Sequence, residues 1–544
     1  MLASAPLQHA LDDSGPRGLR IQRALWLALL AWALGGCMAL PDVSDRPWQR
    51  ALPPAPTSPL AQLAAASVAD GEATSGVRLV SSGAQALQLR LLLIEQATQS
   101  IDLQVYQFKS DATGRLLMRA LRDAAQRGVR VRLLLDDLYT AGDDALWLGL
   151  AATPGIALRL FNPFLAGRDS HASRLFESAF GPKRMHRRMH NKLLVADGAL
   201  ALAGGRNIAD LYFLPARQGS FVDIDVLVAG ALLPQISLAF DLYWNSAYSH
   251  ELRSVVDEPL PAAARRAALG HELDGPCDSA ACMALSQALQ ADTGLRAAFE
   301  QRRLQMHGVE ASVAYDSPSK IENDEVATDI AMLAASGAEV RLLVAHAIRQ
   351  VQHELTIVSP YLIPGSVGVA GLGMLRQRGV QVTMLTNSLA ATDEPMVHLG
   401  YRKYRAALLR EGVALYEWSP ASGDRVLREM FAGGTVLRLH AKAALIDRQL
   451  VYLGSMNFDP RSRDLNTEFG LLIRSPALAE EVHALLQRLL REGAYRLHLD
   501  DDGRSLHWTA GDGDLHVEAI EPDTDLGSRL LLDLLEPLVP EELL

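Results

Sequence analysis

The sequence predicts an α/β protein of two similar domains. Each is a central sheet flanked by helices, and a pseudo-two-fold axis relates the two around one shared active site. Three observations carry that expectation. The stretch His190-Asn191-Lys192-Leu193-Leu194-Val195-Ala196-Asp197 returns 250 residues later as His440-Ala441-Lys442-Ala443-Ala444-Leu445-Ile446-Asp447. Each copy leads to a small-residue turn ending in Asn, Gly204-Gly205-Arg206-Asn207 and Gly454-Ser455-Met456-Asn457, and His to Asn is 17 positions in both. The flanking elements repeat too: Gln126-Arg127-Gly128-Val129 is echoed by Gln377-Arg378-Gly379-Val380, 251 residues on. One such His-Lys-Asp pattern is a weak signal; two with the same turn at the same offset are a strong one.

At the N-terminus, Arg17, Arg20 and Arg23 precede thirteen uncharged residues, Ala24 to Gly36. The run is too short for a comfortable membrane span and suits a signal-peptide core. It ends in Leu34-Gly35-Gly36-Cys37, which resembles a bacterial lipobox. The expectation is cleavage before Cys37 and lipidation of it, placing the protein on a bacterial membrane, periplasmic side; an uncleaved anchor or an ordinary hydrophobic start is the alternative. Residues 38–82, with Pro53, Pro54, Pro56 and Pro59, read as a flexible tether, and folded structure is expected to start near Gly83.

Leu87, Leu91 and Ile94 mark one helix face. Ser100 to Phe108 alternates as a strand, Gly114 to Arg127 is helical, and Val129 to Leu135 and Ile156 to Phe161 are strands. The motif follows, with Asp197-Gly198 as a hairpin turn. The second half replays this order: a helix through Val340, Val344, Ile348 and Val351, then strands at Leu355 to Tyr361 and Val380 to Leu385. The expected domains are 83–257 and 316–492, joined by a helical connector at 258–315. An extension at 493–544 has short strands and a helix at Leu526 to Leu538. Cys277 and Cys282 either close a short loop, as an oxidising compartment favours, or stay free thiols. Phe164, Leu165, Phe176 and Phe180, in the longer pre-motif insertion, either meet acyl chains or form a local core.

Length alone suggests three or four domains for 544 residues, which the repeat corrects to two. With 49% hydrophobic residues there is enough for sizeable cores, and a net charge of −11 argues against a nucleic-acid groove. Most of the fifteen histidines, among them His186, His346, His353 and His398, read as ordinary core or surface residues.

In a strand, positions i and i+2 share a face, so His190 with Lys192, and His440 with Lys442, project together. A glycine turn admits a ligand to the backbone and its Asn supplies an amide. Imidazole, ammonium and amide together suit a phosphoryl oxyanion. Two such half-sites supply a nucleophile and an acid/base, without fixing which His is which.

On these residues the chain resembles the phospholipase D superfamily, in particular the bacterial cardiolipin synthase branch of C type. Ser100-Ile101-Asp102-Leu103-Gln104, Thr386-Asn387-Ser388-Leu389-Ala390-Ala391-Thr392-Asp393 and Leu465-Asn466-Thr467-Glu468 add to the resemblance, which runs from about Gly83 to the C-terminus. It implies a covalent phosphohistidine, no metal and no cofactor, with His190 as nucleophile and His440 as acid/base. The implied catalytic set is His190, Lys192, Asp197, His440, Lys442 and Asp447. The two motif aspartates are expected to fix strand and lysine geometry more than to touch substrate. Asn207, Asn457 and Ser455 would bind phosphate, the last with no counterpart hydroxyl at Gly205. An acid would orient each His, Glu468 in the second half and Asp223 in the first, with Asp225 a rival. Lys320 resembles a family segment and is given no role.

The function so implied is phosphatidyl transfer that yields cardiolipin from membrane phospholipids, phosphatidylglycerol and phosphatidylethanolamine. Hydrolysis by a phospholipase D-type phosphodiesterase is the alternative, a nuclease a weaker one and an inert scaffold the weakest. No nucleic-acid partner is expected, and a helper protein is left open.

Overall fold

The computed structural model describes residues 40–68, 75–164, 167–168, 185–214, 219–257, 259–276, 279–290, 293–322, 339–420, 437–501, 503, 505–510, 515–517, 520–538 and 541. Cys37, Cys277, Leu165, Phe176 and Phe180 lie outside them. Cys282 is disulfide-bonded, and Phe164 is buried beneath the guanidinium of Arg188.

In the first half the strands are β1 (Ser75–Val80), β2 (Ser100–Val105), β3 (Arg130–Asp136), β4 (Ile156–Phe161), β5 (Leu193–Ala196), β6 (Leu200–Gly204), β7 (Ser220–Val222), β8 (Asp225–Gly230) and β9 (Ser249–Glu251). The second half has β10 (His307–Tyr315), β11 (Glu354–Val358), β12 (Gln381–Asn387), β13 (Ala414–Trp418), β14 (Leu437–Leu439), β15 (Ala443–Ile446), β16 (Leu450–Gly454), β17 (Phe469–Arg474) and β18 (Ala494–Leu499). β19 (Leu506–Ala510) and β20 (Leu515–Val517) extend its edge.

β1 and β10 pair antiparallel, with Gly76 opposite Gly308, so the two halves share one continuous sheet. Outward from that seam the order is β8-β6-β5-β2-β3-β4-β9 on one side. On the other it is β17-β16-β15-β11-β12-β13-β18, the same topology. In each half the inner strands β2-β3-β4 and β11-β12-β13 run parallel, as crossover helices require.

Helices Gly83–Gln96 and Ala112–Gln126 turn Leu87, Leu117 and Leu121 onto one face of the first sheet. A second core lies between the halves, where Val77, Val226 and Val228 meet Val309, Leu471 and Ile473. Helices Leu233–Trp244 and Pro476–Gly493 close it with Ile236, Phe240, Val482 and Leu486. Each such side chain contributes about 1.5–3 kcal/mol on burial.

Within 38–82, the described residues 40–68 and 75–82 are not a bare tether. Helix Pro59–Ser67 is capped by Ser58 and buries Leu60 and Leu63. Arg46 donates to the carbonyl of Ser246 at 2.9 Å, and β1 is the seam strand itself. Pro59 lies in the first turn of its helix, where a missing N–H costs nothing, so proline content there does not signal disorder.

Candidate active site

His190-Asn191-Lys192 and His440-Ala441-Lys442 are extended lead-ins to β5 and β15, one residue short of the ladder on each side, rather than part of the strands. What holds them is the opposite half. The His190 N–H donates to the carbonyl of Thr467 at 2.9 Å, and the Thr467 N–H to that of Arg188 at 2.9 Å. β14 runs parallel to β7, and the His440 N–H donates to the carbonyl of Val222 at 2.8 Å. Each histidine is thereby laid beside the residue that precedes an acid in the other half.

The result crosses the expected pairings. His190 Nδ1 lies 3.0 Å from Glu468 Oε2, and His440 Nδ1 lies 2.6 Å from Asp223 Oδ2. Glu468 and Asp223 are both orienting acids, but each serves the histidine of the opposite half, not its own. Spacing within a half says nothing about which strands exchange across the axis. Asp225, the rival of Asp223, instead pairs with Arg90 at 3.0 Å and Arg206 at 3.4 Å. With Nδ1 facing a carboxylate, a neutral ring keeps its proton there and presents a bare Nε2.

Lys192 and Lys442 each donate from Nζ to the carbonyl of their own histidine at 2.6 Å. Lys442 Nζ also lies 3.2 Å from His440 Nε2. Tyr106 and Tyr212 stand edge-on to His190 and His440, with ring centres 5.0 and 5.1 Å apart. Asn207 donates to the Tyr212 hydroxyl at 2.8 Å and accepts from the Gln107 N–H at 3.3 Å.

Both histidines and both turn asparagines open onto one cleft of about 500 Å³. Burial lowers His190 to about 4; Glu468 opposes this and Lys192 adds to it. His440 is pushed well below the usual histidine range by burial and then by Lys442. Burial lowers Lys442 to about 8 despite Asp223 and Asp393, and lowers Lys192 well below its ordinary value. For Glu468 burial acts upward, but His190, Lys192 and the Ser455 hydroxyl prevail and hold it at about 2. Burial thus favours two neutral imidazoles and disfavours the charge on the two lysines beside them. A phosphodiester anion supplies the charge that relieves them.

Asp197 and Asp447, grouped with the catalytic residues in the sequence reading, neither line the cleft nor touch a lysine. Asp197 accepts the N–H groups of Thr98, Gln99 and Ser100 and the Ser58 hydroxyl. Asp447 accepts those of Gln352, His353 and Glu354. They occupy left-handed turn positions at φ 52° and 50° and tie each hairpin to the entry of β2 or β11. Ser455 is likewise displaced from its expected role: fully buried, it donates to Glu468 and accepts the Phe469 N–H at 3.0 Å. It holds the carboxylate rather than phosphate. At Gly205, the equivalent position, a Cβ would collide with the carboxylate of Asp223. The shorter acid therefore packs on bare glycine, and the longer one takes a serine.

The sequence reading missed Tyr106, Tyr212, Tyr361, Arg438, Asp459 and Arg461, all lining the cleft. Only Asp459 and Arg461 carried a local signal, the Asp-Pro-Arg-Ser run after the second Asn turn. Asp393, quoted in the resemblance, also lines the cleft and accepts the Tyr361 hydroxyl at 2.9 Å. His186, read as ordinary, lines it too. Lys320 braces Asp316 at 2.6 Å, and Asp316 in turn accepts the Glu468 N–H at 3.1 Å. Among the described residues no group of three His, Cys, Asp or Glu has an arrangement to hold a metal ion.

A duplicated α/β fold in which each half brings the histidine of a His-x-Lys pair to a common cleft defines a phospholipase D-like protein. The family model described as "Cardiolipin synthase, PLD-like domain" matches residues 91–218 and 344–490. Cardiolipin synthase C of Escherichia coli (strain K12) is 34% identical over 477 residues, covering 84% of this chain and 94% of that one. The chain therefore belongs to the cardiolipin synthase family with phospholipase D-like domains. Minor cardiolipin synthase ClsB of Bacillus subtilis (strain 168) is 23% identical, covering 77% of this chain and 82% of its own. The crystal structure of phosphatidylserine synthase from Haemophilus influenzae Rd KW20 shares the fold, with a TM-score of 0.55 at 14% identity, covering 86% of this chain and 95% of that one.

Proposed function

We propose that this protein is a phosphatidyltransferase that makes cardiolipin through a covalent phosphohistidine. The observation that carries the reading is the pair of carboxylate-held imidazoles, His190 and His440, opening onto one cleft, each with the Nζ of Lys192 or Lys442 on its own carbonyl.

In the first step the Nε2 lone pair of His190 attacks phosphorus of a donor phospholipid, and the bond from phosphorus to the head-group oxygen breaks. Lys192, Lys442, Asn207 and Asn457 stabilise the charge on the non-bridging oxygens. His440, which takes up a proton as the anionic substrate binds, gives it to the leaving oxygen. In the second step His440 Nε2 takes the proton of the acceptor hydroxyl. That oxygen attacks phosphorus, the P–N bond breaks, and His190 is restored. Donor and acceptor are assigned as phosphatidylethanolamine or phosphatidylglycerol and phosphatidylglycerol, respectively.

Purified protein in mixed micelles of the two lipids, without added metal, is expected to form cardiolipin. Phosphatidic acid as the sole product would overturn transfer in favour of hydrolysis. The leader supports a lipid anchor at Cys37 on the periplasmic side of a bacterial membrane. No helix among the described residues is long and apolar enough to cross one. Cys37→Ser is expected to release the protein from membranes; unchanged sedimentation with them would refute that anchor.

A further inference from the structure

The pseudo-two-fold axis matches residues of the two halves closely enough to expose a place just before the histidines where they differ in charge. Two positions before each histidine stands an arginine, Arg188 and Arg438. Arg188 is fully buried and neutralised by Asp136 at the end of β3, 2.7 Å away. Asp136 also accepts the Met189 N–H at 2.9 Å. The strand registers put Asn387 at the same place in β12, and Asn387 Oδ1 accepts the Leu439 N–H at 2.9 Å, the matching bond. The acid of the first half is therefore an amide in the second.

Among the described residues Arg438 has no counter-charge. Its Nε is buried with no hydrogen-bond partner, the side chain lines the cleft, and it forms no ion pair among the described residues. An unpaired guanidinium in a concave site is an anion receptor with fork geometry suited to phosphate. The reacting phosphorus already has two ammoniums, Lys192 and Lys442, beside the histidines. Arg438 lies two residues from His440 along an extended chain, about 7 Å at the usual rise per residue, on the side of the group that activates the acceptor.

We propose that Arg438 binds the phosphodiester of the acceptor, so that the acceptor is an anionic phospholipid whose free hydroxyl lies a short polyol away from its own phosphate. This rests on the transferase reading above. It extends that reading by giving the acceptor's charge a receptor, which a hydrolase or a transferase to neutral alcohols has no use for.

The test compares transfer to phosphatidylglycerol with transfer to free glycerol in the same micelles, using the full chain. Arg438→Gln is expected to lower the ratio of the two kcat/KM values about tenfold or more, the worth of a charge-assisted hydrogen bond. Arg438→Lys should keep most of the ratio. Asn387→Asp should lower it as well, because it rebuilds the neutralising pair of the first half while leaving the guanidinium in place. A ratio unchanged in Arg438→Gln and Asn387→Asp overturns the assignment while leaving the transferase intact. An equal fall for both acceptors, together with slower adduct formation, would move Arg438 to the donor phosphate and overturn it too. A wild-type enzyme giving only phosphatidic acid would sink the transferase reading and this one with it.

Discussion

Glu468 and Asp223 differ in what they should do when neutralised, because each holds a different imidazole. Glu468→Gln keeps the shape but loses the charge that fixes His190 at 3.0 Å. It is expected to slow formation of the phosphohistidine adduct, on the order of a hundredfold or more. Asp223→Asn leaves His190 intact and impairs His440, so adduct should form from an activated donor and persist. Quench-flow trapping of labelled enzyme reads both, and pairing within each half would give the reverse assignment. The cleft also sets a pH window. His190 at about 4 is neutral above that value, and protonation as pH falls through it removes the attacking lone pair. Lys442 at about 8 loses its charge as pH rises through that value in the free enzyme. A kcat/KM profile should therefore fall on the alkaline side near 8 through a rising KM. Lys442→Arg, whose guanidinium stays charged, should remove that limb at reduced overall rate; an unshifted limb would rule Lys442 out as its source.

At the scale of elements, the motif aspartates act as clasps. Asp197 is fully buried and gathers three backbone N–H groups and a hydroxyl, whereas Asp447 sits at a more open edge beside exposed Gln352 and His353. Asp197→Ala should cost about 2–4 kcal/mol in urea unfolding and Asp447→Ala less, with adduct formation by the folded enzyme largely kept. A collapse in rate without loss of stability would return Asp197 to the catalytic group. The hairpins and the Asn turns were legible in the sequence because duplication repeats them at a constant offset of 250, whereas the two acids, 245 apart, came with the family resemblance. Their connections were not. The swap of Glu468 and Asp223 depends on β14 pairing with β7 and on Thr467 bridging the chain before His190, contacts between residues more than 200 apart. The prolines around Pro59 misled because the same residues that break a packed element also begin a helix. Tyr106 and Tyr212 were not legible, since nothing local marks a ring that borders a cleft.

For the whole molecule, the apolar layer between the halves is continuous with the segments that carry the histidines. Val228 of β8 lies opposite Val77 of β1, and both belong to the core that also holds Val309, Leu439 and Ala441 beside the second motif. Crossing of the orienting acids makes the same point chemically: neither half holds a complete histidine–carboxylate pair. The two should therefore unfold as one unit. Val228→Asp places a carboxylate where Val228 is fully buried, a change of roughly 3 kcal/mol or more. Calorimetry is expected to give a single transition, moved down as a whole, with adduct formation lost in step although His190, Glu468 and Lys192 are untouched. Two separated transitions, with only the first moved, would mean that the halves are independent domains and that the seam positions the histidines without binding the halves into one cooperative fold.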